Sequence, residues 1–123
     1  MQAQIINFSD LNAYESGVGE AVQALRDGAL VVFPTETVYG VGARADLPKA
    51  VARLREMKGR QGGKPFTVHI GRRDDVHRFV PALCPTGRRL VQKGWPGPLT
   101  LVFPGQPGLP PLLTGGTGTV GIR

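Results

Sequence analysis

The stretch FPTETVYGVGA, residues 33–43, follows directly on the apolar run of residues 29–32. Such a run predicts a buried β-strand, and Pro34 ends the pairing of that strand because proline has no N–H to donate. Two threonines, a glutamate and two glycines come next, so hydroxyls and a carboxylate lie just beyond a strand end. Open α/β sheets bind ligands at strand ends. A ligand site and an ordinary polar turn both fit this stretch taken alone.

Composition indicates one globular domain over residues 1–123. Of the 123 residues, 41% are hydrophobic and 20% are charged, which suits a chain with a modest core. No apolar run approaches the roughly 20 residues of a membrane span, and residues 1–10 lack the features of a secretory signal. The single cysteine, Cys84, fits a reducing compartment, and no His or Cys spacing indicates a metal site. We therefore expect a cytoplasmic location, no membrane association and no metal-ligating residues.

Charge is distributed unevenly along the chain. Residues 1–43 hold one basic and five acidic residues, whereas residues 44–123 hold fourteen basic and four acidic residues. A basic, glycine-rich half favours an anionic ligand such as a nucleotide or a nucleic acid. A solvated basic surface without a ligand is the alternative.

Helical and strand patterns alternate, which predicts an α/β fold. Apolar spacing and turn residues predict helices over residues 12–27, 48–58, 74–79 and 86–93. Short apolar or alternating runs predict strands over residues 4–8, 29–33, 66–70, 99–103 and 119–123, with a loop over 104–118.

A cluster of basic residues surrounds the predicted end of the helix over residues 48–58. Cations near a helix carboxyl end can be simple complements of the helix dipole, which is the alternative to a ligand site. Two of them, however, flank Gly59 beyond the helix, where their side chains could converge on one phosphate or carboxylate. The cluster consists of Arg53, Arg55, Lys58, Arg60 and Lys64.

Four stretches together resemble the YrdC-like family, the threonylcarbamoyl-AMP synthases. They are FPTETVYGVGA, MKGRQGGKPFTVHI, WPGPLTLVF and GTVGIR, in the order and spacing typical of that family. The resemblance covers residues 29–123 and implies a three-layer twisted mixed β-sheet with flanking helices around a positively charged cavity. Family members continue beyond this point with a Ser-x-Asn motif. The resemblance therefore implies that residues 1–123 are the amino-terminal two thirds of a C-terminally incomplete domain.

The activity implied by the resemblance converts L-threonine, bicarbonate and ATP into threonylcarbamoyl-AMP and pyrophosphate, with Mg²⁺ accompanying ATP. The product would pass to the machinery that transfers threonylcarbamoyl to tRNA. Because the Ser-x-Asn part is not in the sequence, the resemblance leaves open whether this chain is active alone.

The resemblance also implies which residues bind the substrates. For L-threonine it implies Thr35, His69 and Arg123. For ATP it implies Lys58, Arg60, Lys64 and Thr119, of which Lys58 and Arg60 are the catalytic pair. Residues 61–63 depart from the family pattern, which has proline and polar residues there.

Two other functions stay open. The basic half and the affinity of the family for structured RNA suggest a non-catalytic module that binds double-stranded RNA or tRNA. YrdC-like domains also occur in larger carbamoyltransferases, which bind a carbamoyl adenylate without free threonine.

Overall fold

The computed structural model describes residues 2–7, 9–59 and 64–123 of the chain. The chain divides into two units, Met1–Leu54 and Arg55–Arg123. Along the described residues, no helix is both long enough and apolar enough to cross a bilayer.

The first unit begins with helix α1, Leu11–Arg26, which matches the helix predicted over residues 12–27. The Asp10 side chain caps it by accepting from the Asn12 N–H at 2.9 Å. Gly28 follows the helix with φ +83°, a conformation that glycine adopts most readily. The strand predicted over 4–8 is wrong for residues 4–7, which form no strand and of which Ile5 is 91% exposed; residue 8 lies outside the described residues.

A two-stranded antiparallel hairpin completes the strands described in the first unit. Strand β1, Val31–Phe33, pairs with β2, Gly40–Gly42, in a register that places Val31 opposite Gly42 and Phe33 opposite Gly40. The strand predicted over 29–33 is confirmed for residues 31–33, but the prediction that it is buried is wrong. Val32 is 65% exposed, because a two-stranded sheet leaves one face open.

Helix α2, Pro48–Met57, confirms the helix predicted over residues 48–58. It begins with proline, whose missing N–H costs nothing in the first turn. Three of its apolar side chains are buried, whereas Met57 near its end is 55% exposed. The buried residues are Ala50, Val51 and Leu54.

The second unit contains a mixed three-stranded sheet. Strand β5, Thr119–Ile122, lies between β3, Thr67–Val68, and β4, Leu101–Pro104. It runs parallel to β3 and antiparallel to β4. Val120 and Ile122 of β5 are fully buried, so one face of this sheet forms the core. This mixed sheet with flanking helices confirms the α/β fold class.

Helices flank these strands at nearly the predicted places. A 3₁₀-helix spans Arg73–Arg78, helix α3 spans Pro85–Gly94, and the short helix α4 spans Pro111–Thr114. Helix α4 lies inside the region predicted as a loop, because four residues are too few to show a helical period. Trp95 follows α3, is buried, and donates its indole N–H to the Leu99 carbonyl at 2.7 Å.

Candidate functional site

Thr35 organises the turn between β1 and β2. Its hydroxyl donates to the Val38 carbonyl and accepts from the N–H groups of Thr37 and Val38 at 3.3 and 3.2 Å. A threonine that bonds the backbone two and three residues ahead is a common turn device. The polar residues after the strand therefore build the hairpin loop, and the side chain of Thr35 is exposed on it. Its contact with L-threonine stays a prediction.

The basic cluster is divided between internal and exposed side chains. Arg53 donates to the Gly28 carbonyl at 3.3 Å within the first unit. Arg55 is only 9% exposed and donates to two carbonyls, that of Lys64 at 3.2 Å and that of Leu112. Arg53 and Arg55 therefore make contacts within the protein, and neither belongs to the pair predicted to converge on one anion.

Arg55 has a second contact that fixes its place. Its guanidinium lies over the ring of Phe66, 4.9 Å from the ring centre, within the range of a cation–π interaction. Its Nε atom is buried and has no hydrogen-bond partner among the described residues. The side chain thus joins the end of α2 to residues 64–66 and to α4, all in the second unit.

Lys58 and Lys64 are the exposed described cations of the second unit that belong to the cluster. Lys58 follows the last residue of α2, and Gly59 then turns the chain with φ +61° while donating to the Glu56 carbonyl at 3.0 Å. The exposed ammonium groups of Lys58 and Lys64 are therefore accessible to a phosphate group of a ligand. Arg60, the other member of the predicted catalytic pair, lies outside the described residues.

His69 and Arg123 are neighbours at the carboxyl ends of two parallel strands. The Arg123 N–H donates to the Val68 carbonyl at 2.9 Å, and the Arg123 carbonyl accepts from the Ile70 N–H at 3.1 Å. This pattern continues the β3–β5 register by one pair beyond Val68 and Ile122. The structure therefore brings together two of the three residues predicted to bind L-threonine.

Thr119 shares a face of the sheet with that pair. Successive residues of a strand point to opposite sides, and the buried Val120 and Ile122 place their neighbours on the other side. Thr119 and Arg123 are four residues apart, or about 13 Å along an extended strand. We call this side of the sheet the polar face; its members on β3 and β5 and their extensions are Thr67, His69, Thr119, Gly121 and Arg123.

A hydroxyl cluster precedes β5. The Thr117 hydroxyl donates to the Thr114 carbonyl at 2.8 Å, lies 2.9 Å from the Thr119 hydroxyl, and accepts from the Thr119 N–H at 3.3 Å. Gly116 and Gly118 adopt positive φ values of 75° and 73°, which let the loop turn tightly enough for these contacts. The loop thus offers hydroxyl groups and glycine backbone at the amino end of β5, which suit a polar ligand.

Thr67 belongs to the polar face although sequence reasoning did not select it. The alternation in FTVHI could have indicated it, because Thr67 and His69 flank the buried Val68 and so share a face of the strand. Cys84 is exposed, and its Sγ accepts from the Gly87 N–H at 3.3 Å at the start of α3. This cysteine acts as a helix cap.

Within residues 2–7, 9–59 and 64–123, no three His, Cys, Asp or Glu side chains are grouped as metal ligands would be. Magnesium needs few protein ligands when it is bound by nucleotide phosphates. The cations and hydroxyls of the described residues are the kinds of group that bind phosphate oxygens.

Comparison with known proteins identifies relatives over most of the chain. The threonylcarbamoyl-AMP synthase of Pyrococcus abyssi is 42% identical over 99 residues, covering 80% of this chain and 29% of its own length. That of Thiobacillus denitrificans is also 42% identical, with 53% of its length covered. That of Bacillus subtilis is 37% identical over 93% of this chain and 33% of its length. The chain therefore spans about half or less of these relatives.

Solved structures agree with the fold. A crystal structure of P. abyssi Sua5 complexed with L-threonine matches 89% of this chain with a TM-score of 0.81 and 40% identity, over 32% of that chain. A solution structure of a protein from Methanobacterium thermoautotrophicum matches the whole chain with a TM-score of 0.67 and 32% identity. The family model Sua5/YciO/YrdC, described as "Telomere recombination", matches residues 23–123. This chain therefore belongs to the Sua5/YciO/YrdC family.

Proposed function

We propose that this chain is a threonylcarbamoyl-AMP synthase, or the substrate-binding part of one, that acts on L-threonine, bicarbonate and ATP. The proposal is supported by relatives named threonylcarbamoyl-AMP synthase that match at least 80% of the chain. Because the chain spans only 29–53% of these relatives, turnover by this chain alone is part of the proposal.

The proposed reaction needs no nucleophilic side chain from the protein. The amine of L-threonine takes up bicarbonate as a carbamate and releases water. An oxygen of that carbamate then bonds to the α-phosphorus of ATP while the bond to the bridging oxygen breaks, and its electron pair leaves with pyrophosphate. Both reactants are anions, so the protein must offset their repulsion and hold them in line. Cations, hydroxyls and backbone N–H groups suffice for this task.

Each predicted residue takes one role in the proposal. Arg123 pairs with the carboxylate of L-threonine by its planar guanidinium, and His69 beside it contacts the same substrate. Thr119 contacts the nucleotide. Thr35 is also proposed to contact L-threonine. The cations that neutralise the phosphates are Lys58, Arg60 and Lys64.

The proposal also includes a magnesium ion, a cytoplasmic location and transfer of the product to other proteins. Bound Mg²⁺ would neutralise phosphate charge, and the exposed Lys58 and Lys64 would add to that neutralisation. We propose a cytoplasmic location, where the product would be handed to the machinery that modifies tRNA.

The observation that carries the proposal is the placement of Thr119, His69 and Arg123 on one open face of the sheet. The test incubates the chain with ATP, bicarbonate and L-threonine and measures pyrophosphate release. Release that requires both L-threonine and bicarbonate supports the proposal. A chain that binds neither ATP nor L-threonine contradicts it.

Binding of structured RNA is a second candidate, favoured by the charge of the second unit. Residues 55–123 contain eleven Lys and Arg residues against three Asp and Glu residues, and several lie exposed on the 3₁₀-helix and α3. RNA held by these cations should dissociate steeply as salt rises, because binding releases counterions. RNA affinity that is insensitive to salt would contradict this candidate. The exposed cations of these two elements are Arg73, Arg78, Arg88, Arg89 and Lys93.

A further inference from the structure

Gly121 lies in the middle of the polar face. It is two residues from Thr119 and two from Arg123, and its register partners are Thr67 on β3 and Val102 on β4. Its φ is not among the positive values found at other glycines of the chain. The backbone at this position therefore does not require glycine, since any L-residue could adopt the same conformation.

Packing does not require glycine there either. A Cβ atom on Gly121 would lie 3.5 Å from Thr100 Cγ2 and 3.8 Å from Thr67 Oγ1, both ordinary van der Waals separations. Glycine inside a strand lowers stability relative to alanine, and it often marks a place where a ligand or another backbone comes close. Without a side chain, Gly121 leaves space between Thr67 and Thr100. This space lies on the side of β5 that faces away from the core.

We propose that Gly121 is a specificity-determining position, whose missing side chain leaves room for the reacting centre between ATP and L-threonine. This inference rests on the proposed function. Thr119 would contact the nucleotide at one end of β5, and Arg123 would hold the threonine carboxylate about 13 Å away. The bond between the carbamate oxygen and the α-phosphorus forms between these ends. Gly121 lies midway between Thr119 and Arg123, next to the place where this bond would form. A larger side chain at position 121 would therefore occupy the space of the carbamoyl group.

A size series at this position separates the inference from a structural role. The variants are Gly121→Ala and Gly121→Val, and the matched control is Gly19→Val, at an α1 position where a Cβ would meet no atom within 4 Å. Three probes are titrated by calorimetry: ATP, L-threonine, and an unreactive sulfamate conjugate of L-threonine with adenosine that spans both ends in one molecule. Melting temperatures are measured on the same samples.

We expect Gly121→Val to weaken binding of the conjugate by at least about tenfold, because overpacking is costly where the ligand fills the space. Affinities for ATP and for L-threonine alone should change less than about threefold, since each occupies one end. Gly121→Ala should have an intermediate effect, with a melting temperature equal to or above that of the parent. Gly19→Val should leave the affinities for all three probes unchanged.

Each outcome decides a different point. A parent that binds none of the three probes contradicts the proposed function, and the inference with it. A parent that binds the conjugate as tightly as the folded Gly121→Val variant contradicts the inference alone. If Gly121→Val melts far below the parent, the Gly121→Ala variant is used instead. A Gly121→Ala variant that also melts below the parent would show that Gly121 is needed for packing, and this would overturn the inference.

Discussion

Arg123 hydrogen-bonds on both sides of His69, donating to the Val68 carbonyl at 2.9 Å and accepting from the Ile70 N–H at 3.1 Å. Two residues that are 54 positions apart in the sequence therefore extend from adjacent parallel strands on the same face. A cation and an imidazole side by side at strand ends form a suitable place for the carboxylate of an amino acid. The proposed binding of L-threonine depends on this pair more than on any other contact.

The exposed cations after α2 should hold the phosphates of ATP. We predict that Lys58→Ala weakens ATP binding by about ten- to a hundredfold, because a hydrogen bond to a charged group is worth about 1.5–3 kcal/mol. Arg60→Ala, outside the described residues, should act in the same direction. Lys49→Ala, an exposed cation at the other end of α2, is the control of equal charge. Titration calorimetry measures the affinities, and a Lys58→Ala variant that binds ATP like the control would remove Lys58 from the site.

Arg55 should matter for stability through its internal contacts. Arg55→Ala removes a buried donor shared by the Lys64 and Leu112 carbonyls, together with the contact to the Phe66 ring. We predict a loss of about 3 kcal/mol in the free energy of unfolding, the upper end for a hydrogen bond to a charged group. Arg88→Ala on the exposed side of α3 should stay within about 0.5 kcal/mol of the parent. Urea denaturation measures both, and equal midpoints for the two variants would contradict the internal role of Arg55.

The hairpin of the first unit should resist a larger residue at Gly40. A Cβ there would lie 3.0 Å from two ring carbons of Phe33, its register partner. The ring is partly exposed and can swing toward solvent, so we predict that Gly40→Val costs about 1 kcal/mol, the low end for overpacking. Gly19→Val adds the same group in open space on α1 and serves as the control. Denaturation midpoints measure the stability of both variants. A Gly40→Val variant that is more stable than the parent would show that the Phe33 ring does not exclude a side chain at position 40.

Much of the fold could be predicted from local sequence patterns. Alternation in FTVHI and TVGIR indicated β3 and β5, and helical spacing indicated α1, α2 and α3. Strand β2 was missed because Gly40 and Gly42 suggest a turn, whereas the structure uses them under the ring of Phe33. Helix α4 was missed because its four residues show no period.

The sequence named candidate site residues, but it did not predict how they are arranged. Motif resemblance selected His69, Thr119 and Arg123, yet their common face depends on the parallel register of β3 and β5, which is a long-range property of the fold. The role of Arg55 was not predictable from its place in a basic cluster. Its burial and its contacts with Lys64, Phe66 and Leu112 are long-range features that only the folded chain shows.

The affinity of the chain for L-threonine, with and without the Arg123 guanidinium, tests the proposed function most sharply. Calorimetric titration compares the parent, Arg123→Gln and the exposed control Arg88→Gln, with melting temperatures as a check on folding. The account predicts that Arg123→Gln binds L-threonine about ten- to a hundredfold more weakly, since a charge-assisted contact is lost, and that Arg88→Gln binds it like the parent. An Arg123→Gln variant that melts like the parent and binds L-threonine equally well would contradict the account.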